Sequence, residues 1–281
     1  MAIRIKTIII IPAIIIFSIL SFEIYFKLLY HQFMKGKSIK FTILGSGSAV
    51  PFENRASASY LLETYGGKFL LDCGFECVGR LSAAGFDPDE LNGIFISHKH
   101  PDHFMGLIHL LFALKSPFYN REIPLYIAGF KGIEEYFNSF KKILGKWVEP
   151  GFDVRFSDKD ELDIADCNFQ LFPTIHSEES TGVCIIVDDK KIVYTSDTEY
   201  SDSYIDYLRN AELAVVDCAA STELPVEGHM NYREGLDMAG KAGVKRLVFS
   251  HFYPNSADFD LNRLDTDVEF YKARDLMSLY L

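Results

Sequence analysis

At 281 residues the chain has room for one large α/β domain and an appendage, and a hydrophobic share of 48% supplies a substantial core. The net charge of −11 disfavours a protein that tracks a nucleic-acid backbone, which needs clustered Lys and Arg, unless a local basic patch overrides the total. Five scattered cysteines, an odd number, exclude a disulfide framework and read as buried free thiols.

The appendage comes first. Thr7 to Phe22 carries no charge, with Ile8–Ile11 and Ile14–Ile16 flanking Pro12 and Ala13. Glu23 interrupts the run, and Ile24 to Tyr30 continues it. A spanning helix needs about 20 mostly apolar residues, and Thr7 to Tyr30 suffices if Glu23 and Lys27 snorkel to the interface. Arg4 and Lys6 resemble the start of a signal segment, yet no small-residue cleavage site follows. Residues 1–30 are therefore expected to form an uncleaved single-pass transmembrane anchor, with a cleaved signal peptide as second choice. Lysines on both sides of the run leave the membrane side open. Residues 31–38 read as a linker and 39–281 as the main domain.

In that domain, Gly45-Ser46-Gly47 reads as a tight turn after a first strand. Tyr60–Leu62 and Phe69–Leu71, joined through Tyr65-Gly66-Gly67-Lys68, read as a hairpin. Helices are expected at about 76–85, 103–115, 130–142, 201–210 and 231–242. Strands at about 123–127, 167–174, 182–187 and 191–195 are expected to complete a second sheet. Asn231 followed by Glu234 has the spacing of a helix capping box. Composition alone gives only "α/β".

Residues 97–107 carry the chemistry. They read Ser-His-Lys-His-Pro-Asp-His-Phe-Met-Gly-Leu, so His98, His100, Asp102 and His103 put four ligating side chains on one turn. The turn joins a buried strand, Gly93–Ile96, to a helix expected from Phe104 to Leu114. Two ligand pairs aimed at neighbouring positions suggest two metal ions. Imidazole and carboxylate suit zinc, manganese or iron.

The cluster resembles the His-x-His-x-Asp-His signature of the metallo-β-lactamase superfamily. Later segments recur in that family's order: Phe172 to His176, Tyr194 to Thr198 and Leu247 to Phe252. With the glycine turn upstream and Leu70-Leu71-Asp72-Cys73-Gly74, the resemblance covers roughly residues 39 to 281. It implies a four-layer αββα sandwich. It also implies that His98, His100 and His176 hold one metal, that Asp102, His103 and His251 hold another, and that Asp197 bridges them. Taken alone, His176, His251 and Asp197 would read as ordinary core or turn residues. Two divalent ions are expected, zinc first, with manganese or iron as alternatives. The pattern departs from true β-lactamases at His103 and Asp197, and in both respects is similar to hydrolases of phosphodiesters and thioesters.

Leu213 to Asp217, then Gly228-His229, resemble the ribonuclease Z-like branch. There an acid at the Asp217 position orients a histidine at the His229 position, which protonates the leaving oxygen. This chain has Asp where Glu is usual. The candidate catalytic groups are thus Asp102, Asp217 and His229. Ribonuclease Z also carries a long arm for transfer RNA between the positions of His176 and Asp197, and here there is no room for one. The expected substrate is therefore a small molecule or short phosphodiester such as a cyclic nucleotide, with extended nucleic acid disfavoured. The rivals are hydrolysis of a thioester, sulfate ester or lactone, and a non-catalytic metal-binding sensor or assembly protein. A di-iron redox role is disfavoured by His100, where those relatives carry Glu. The membrane, through the N-terminal helix, is the expected partner, and a homodimer is compatible with this reading.

Overall fold

A computed structural model describes residues 39–259 and 268–281. The expected anchor at 1–30 and linker at 31–38 lie outside the described residues. Among those described, no helix is long and apolar enough to cross a membrane.

The chain runs β1 (Lys40–Gly45), β2 (Ser59–Glu63), β3 (Lys68–Cys73), α1 (Cys77–Ala83), β4 (Gly93–Ile96), α2 (Pro101–Ala113), β5 (Leu125–Gly129), α3 (Ile133–Leu144) and β6 (Val154–Ser157). It continues through β7 (Glu161–Ile164), β8 (Cys167–Pro173), β9 (Thr181–Val187), β10 (Lys190–Tyr194), α4 (Ile205–Leu208), β11 (Leu213–Asp217), α5 (Tyr232–Ala242), β12 (Arg246–Ser250), β13 (Glu269–Lys272) and β14 (Ser278–Tyr280). These strands form two mixed seven-stranded sheets, ordered β14-β1-β2-β3-β4-β5-β6 and β13-β12-β11-β10-β9-β8-β7.

Side chains alternate between two cores, as the two-residue period of a strand requires. Tyr60, Leu62, Phe69, Leu71 and Phe95 join the core between the sheets. Their neighbours Leu61, Leu70, Ile94 and Ile96 join a second core with Leu81, Phe104, Leu107 and Phe137 from α1, α2 and α3. Strands buried on both faces need apolar residues at every position, so β2, β3 and β4 read as continuous runs. Met238, Ala239 and Ala242 of α5 pack with β11 and β12 on the far side. Helices outside two sheets are consistent with the expected sandwich. All five cysteines are buried free thiols.

Several boundaries differ from expectation. The strand expected at 123–127 lies at β5 and belongs to the first sheet, parallel to β4, because α2 forms a crossover between them. The helix expected from Phe104 starts at Pro101. Proline at the first helical position has no N–H to leave unsatisfied, so Asp102 and His103 sit in the first helical turn. The helix expected over 201–210 is a short 3₁₀ turn followed by α4, with Asn210 left-handed at φ 54° two residues on. β6, β7, β13 and β14 were not foreseen.

Two local features position the site. β9 and β10 form a tight antiparallel hairpin, Val187 opposite Lys190, turning through Asp188 and Asp189. The connection from His176 to Asp197 therefore holds no inserted arm. Second, α2 sits on the exit of β3. A Cβ at Gly106 would fall 2.0 Å from the Gly74 carbonyl oxygen, and one at Gly74 would fall 2.5 Å from that of Asp102. Only glycine permits such backbone contact.

The capping box of α5 forms as its spacing predicts. Asn231 accepts from the N–H groups of Arg233 and Glu234, and Glu234 Oε2 accepts from Asn231 N–H at 2.9 Å. Asn231→Ala should lower stability by about 1 kcal/mol. Urea denaturation of the full chain measures it, and an unchanged midpoint would deny the cap its role.

Candidate metal centre

The predicted residues converge where the parallel strands β4, β11 and β12 end. His98 and His100 leave β4, and Asp102 and His103 follow on the first turn of α2. His176 lies in the β8–β9 loop, Asp197 beyond β10, Asp217 at the end of β11, His229 ahead of α5 and His251 just after β12. Six of the eight histidines meet here, while His109 stays exposed on α2.

Three groups of donors form, each with its ligand atoms within 4.8 Å of one another: His98, His100, His176 and Asp197; Asp102, His103 and His251; and Asp197, Asp217, His229 and His251. Asp197 Oδ2 stands 3.3 Å from His103 Nε2 and 3.7 Å from both His98 Nε2 and His176 Nε2. His251 Nε2 lies 3.4 Å from Asp102 Oδ2.

The other ring nitrogens fix the orientation. His103 Nδ1–H donates to Asp72 Oδ2 at 2.7 Å, and His176 Nδ1–H to the Gly228 carbonyl at 3.0 Å. Ser97 donates its hydroxyl to Asp72, so His98 Nδ1–H donates to Ser97 Oγ at 2.9 Å. Each ring therefore turns an Nε2 lone pair into the cluster, as metal-ligating histidines do.

What those lone pairs meet is the test of fit. His176 Nε2 faces His100 Nδ1 at 3.1 Å, and His103 Nε2 faces His251 Nε2 at 3.2 Å. Two acceptors that close repel unless a proton or cation lies between them. His98 Nε2, Asp197 Oδ1 and His251 Nδ1 are buried without a hydrogen-bond partner, which is costly for polar atoms. This His/Asp cluster fits a metal site.

Protons can take the place of a cation there: Asp197, with Asp72 and Asp102, outweighs burial and holds His103 well above its ordinary value, Asp197 likewise raises His251 to about 10, and the two charged rings in turn outweigh burial and hold the Asp197 carboxyl well below the usual range. Burial and neighbouring His103 push His98 well below its ordinary value, so its ring is neutral.

Asp72 had no assigned role in the sequence. It is the extra residue of a β-bulge, between Leu71 paired to Tyr60 and Cys73 paired to Ser59, and lies at φ 56°. Its fully buried carboxylate accepts from Ser97, His103 and Tyr194, the last at 2.6 Å. The sequence offered it only as part of the Leu70–Gly74 segment of the resemblance, with no role attached. Ser196 and His251 share the left-handed backbone, at φ 57° and 59°. Such a backbone costs a non-glycine residue roughly 1–2 kcal/mol. Asp72→Asn, which keeps the shape but loses the charge behind His103, should weaken metal affinity about 10–100-fold. Competition with a chelator measures this, and unchanged affinity would dismiss the role.

Asp217 and His229 are hydrogen-bonded to each other. His229 Nδ1–H donates to Asp217 Oδ2 at 2.8 Å, and Asp217 also accepts from the N–H groups of Thr198 and Ala219. Burial lowers His229, but Asp217 outweighs it and raises the ring above its ordinary pKa. The shorter Asp side chain thus reaches the histidine. Tyr253, also unassigned by the sequence, lies beside His229 with ring centroids 5.8 Å apart.

Two mixed sheets with outer helices, and a His/Asp donor cluster at the strand ends, define a protein of the metallo-β-lactamase fold with a candidate metal site. The sequence profile of the anti-Pycsar protein Apyc1 family matches residues 39–277, and the chain belongs to that family. It is 27% identical over 220 residues to the probable metallo-hydrolase YhfI of Bacillus subtilis (strain 168), covering 76% of this chain and 86% of the relative. The crystal structure of YhfI superposes with a TM-score of 0.74 at 24% identity, over 87% of this chain and 100% of that one. Ribonuclease Z of Methanothermobacter thermautotrophicus is 26% identical over 265 residues, covering 75% of this chain and 85% of that protein. Anti-Pycsar protein Apyc1 of Bacillus phage 010DV004 is 26% identical over 240 residues, covering 79% and 92%.

Proposed function

We propose that this chain is a binuclear metal-dependent phosphodiesterase acting on a compact phosphodiester such as a cyclic nucleotide. In this reading His98, His100 and His176 hold one ion, Asp102, His103 and His251 hold the other, and Asp197 lies between them. Zinc suits this donor set, and manganese or iron are accepted by it. When bound, two such ions supply Lewis acidity and a lowered pKa for a shared water.

The chain's own residues do the rest. Asp217 orients the His229 ring and stabilises its protonated form, and His229 Nε2 carries the proton for a leaving oxygen. Asp72 and Ser97 keep the ligand rings turned inward. The observation that carries the reading is the Asp217–His229 hydrogen bond beside the donor cluster. An alkoxide leaving group needs such an acid, whereas a thiolate needs little help. The short β9–β10 hairpin, which lacks a nucleic-acid arm, supports a compact substrate over transfer RNA. Residues 1–30 are proposed to tether the domain to a membrane, which membrane fractionation of the full chain would test.

The deciding experiment is a panel of cyclic nucleotides, an activated phosphodiester, a transfer-RNA precursor, a thioester and a sulfate ester, offered to the metal-loaded full chain. Preference for cyclic nucleotides or the activated phosphodiester is expected. Preference for thioester or sulfate ester would overturn the substrate class. Tight metal binding with no turnover would favour a sensor or assembly role.

A further inference from the structure

The loop from Asp217 to α5 carries His229, and it is gripped at one residue from two sides. Gly228 N–H donates to Glu199 Oε1 at 2.9 Å, and the Gly228 carbonyl accepts from His176 Nδ1–H at 3.0 Å. The glycine is left-handed, at φ 79°, and a Cβ there would fall 2.6 Å from His176 Nδ1. One residue of backbone thus lies against a candidate ligand ring and directly precedes the candidate acid. The His176 and His229 rings meet with centroids 4.9 Å apart.

Glu199 is itself held. It stands two residues after Asp197, and its N–H donates to the Ile175 carbonyl at 3.0 Å. Its neighbour Thr198 accepts the Ile175 N–H on Oγ1 at 3.0 Å and donates its own N–H to Asp217 Oδ2 at 3.2 Å. The chain leaving β10 therefore holds the residue before His176 by both of its backbone groups, and it reaches the carboxylate that orients His229. The Glu199 side chain extends that hold to Gly228. A backbone N–H on a carboxylate makes a charge-assisted hydrogen bond, the stronger kind. Elsewhere the loop closes on itself, Ala220 N–H on the Met230 carbonyl at 3.0 Å and His229 N–H on that of Val226 at 3.2 Å.

We propose that Glu199 is a positioning residue that, through Gly228, sets the ring of His176 and the place of His229 together. Its carboxylate is in none of the three donor groups, so it acts through its neighbours and not on a metal. Without it the Gly228 N–H loses its partner and the backbone is free to turn. The His176 ring then loses a fixed acceptor, and His229 a fixed distance from the donors. Partners that orient ligating histidines are worth about 10–100-fold in affinity or activity, and Glu199, one residue further back, belongs at the lower end. The part that concerns His176 needs only the donor cluster, whereas the part that concerns His229 rests on the phosphodiesterase reading.

Two substitutions in the full chain separate this role from a simple loop tie. Glu199→Ala removes the acceptor, and Glu199→Gln keeps an amide oxygen able to take the Gly228 N–H. Chelator competition should find one of the two metal equivalents bound about tenfold more weakly in Glu199→Ala and near the wild-type affinity in Glu199→Gln. The visible absorption of the cobalt-loaded chain should change in the first variant and be kept in the second. On a phosphodiester with an alkoxide leaving group, Glu199→Ala should lose about tenfold in kcat at unchanged KM, and far less on an activated ester, with Glu199→Gln again close to wild type. Wild-type metal affinity in Glu199→Ala would overturn the proposal, because a simple loop tie would lower only the urea midpoint. Equal losses in the two variants would overturn it as well, since charge and not the hold on Gly228 would then be at work. If the wild-type chain turned over no phosphodiester, the phosphodiesterase reading would fail by itself, and the metal affinities would still decide the role of Glu199.

Discussion

Asp197→Ala should remove metal and turnover together. The carboxylate lies within 3.7 Å of the inward nitrogens of His98, His103 and His176, so it joins the donor groups. Without it, facing imidazole lone pairs lose the negative charge that makes a pair of cations tolerable at this spacing. Groups that merely orient ligands are worth 10–100-fold in affinity or activity, so loss of this carboxylate should cost more than about 100-fold in rate. Elemental analysis should find fewer than two metal equivalents per chain, with circular dichroism confirming the fold. Two retained equivalents and a wild-type rate would sink the assignment.

The second large effect is expected at His229, and it should depend on the substrate. Its ring is held by Asp217 and is in none of the hydrogen bonds that orient the ligand histidines. His229→Ala should therefore keep the metal content but lower kcat by about 10²–10⁴-fold on a phosphodiester with an alkoxide leaving group. A nitrophenolate leaves without a proton, so an activated ester should lose far less. Equal losses on both substrates would show a structural role. Asp217→Asn should follow the same pattern more weakly, since it leaves the acid in place but unoriented.

Much of this site was legible because its residues are close in sequence or end apolar strands. His98 to His103 are a local signal, and Asp197, Asp217 and His251 each follow a buried run that marks where a strand stops. Asp72 follows such a run too, yet its role depends on a bulge and on partners from β4, α2 and β10, which spacing does not encode. Tyr253 stands two residues after His251, but its place beside His229 depends on tertiary packing. The fold shows the same division. The four unforeseen strands, β6, β7, β13 and β14, are the outermost strands of the two sheets. An edge strand is covered on fewer sides, and Glu161-Leu162-Asp163-Ile164 accordingly mixes charge with apolar residues. The sheet of β5 was misjudged because pairing partners are a non-local property.

The seat of α2 on β3 bears on how such a site can be transplanted. Gly106 lies against the Gly74 carbonyl, and Gly74 against that of Asp102. The ligand-bearing turn is therefore one half of a joint, and the other half comes from a strand some thirty residues earlier. Copying Ser97 to His103 onto a foreign strand-to-helix junction would carry the donors without the surface that sets their depth. A graft that borrows only the signature should bind metal loosely, and one that moves both glycines with it should not.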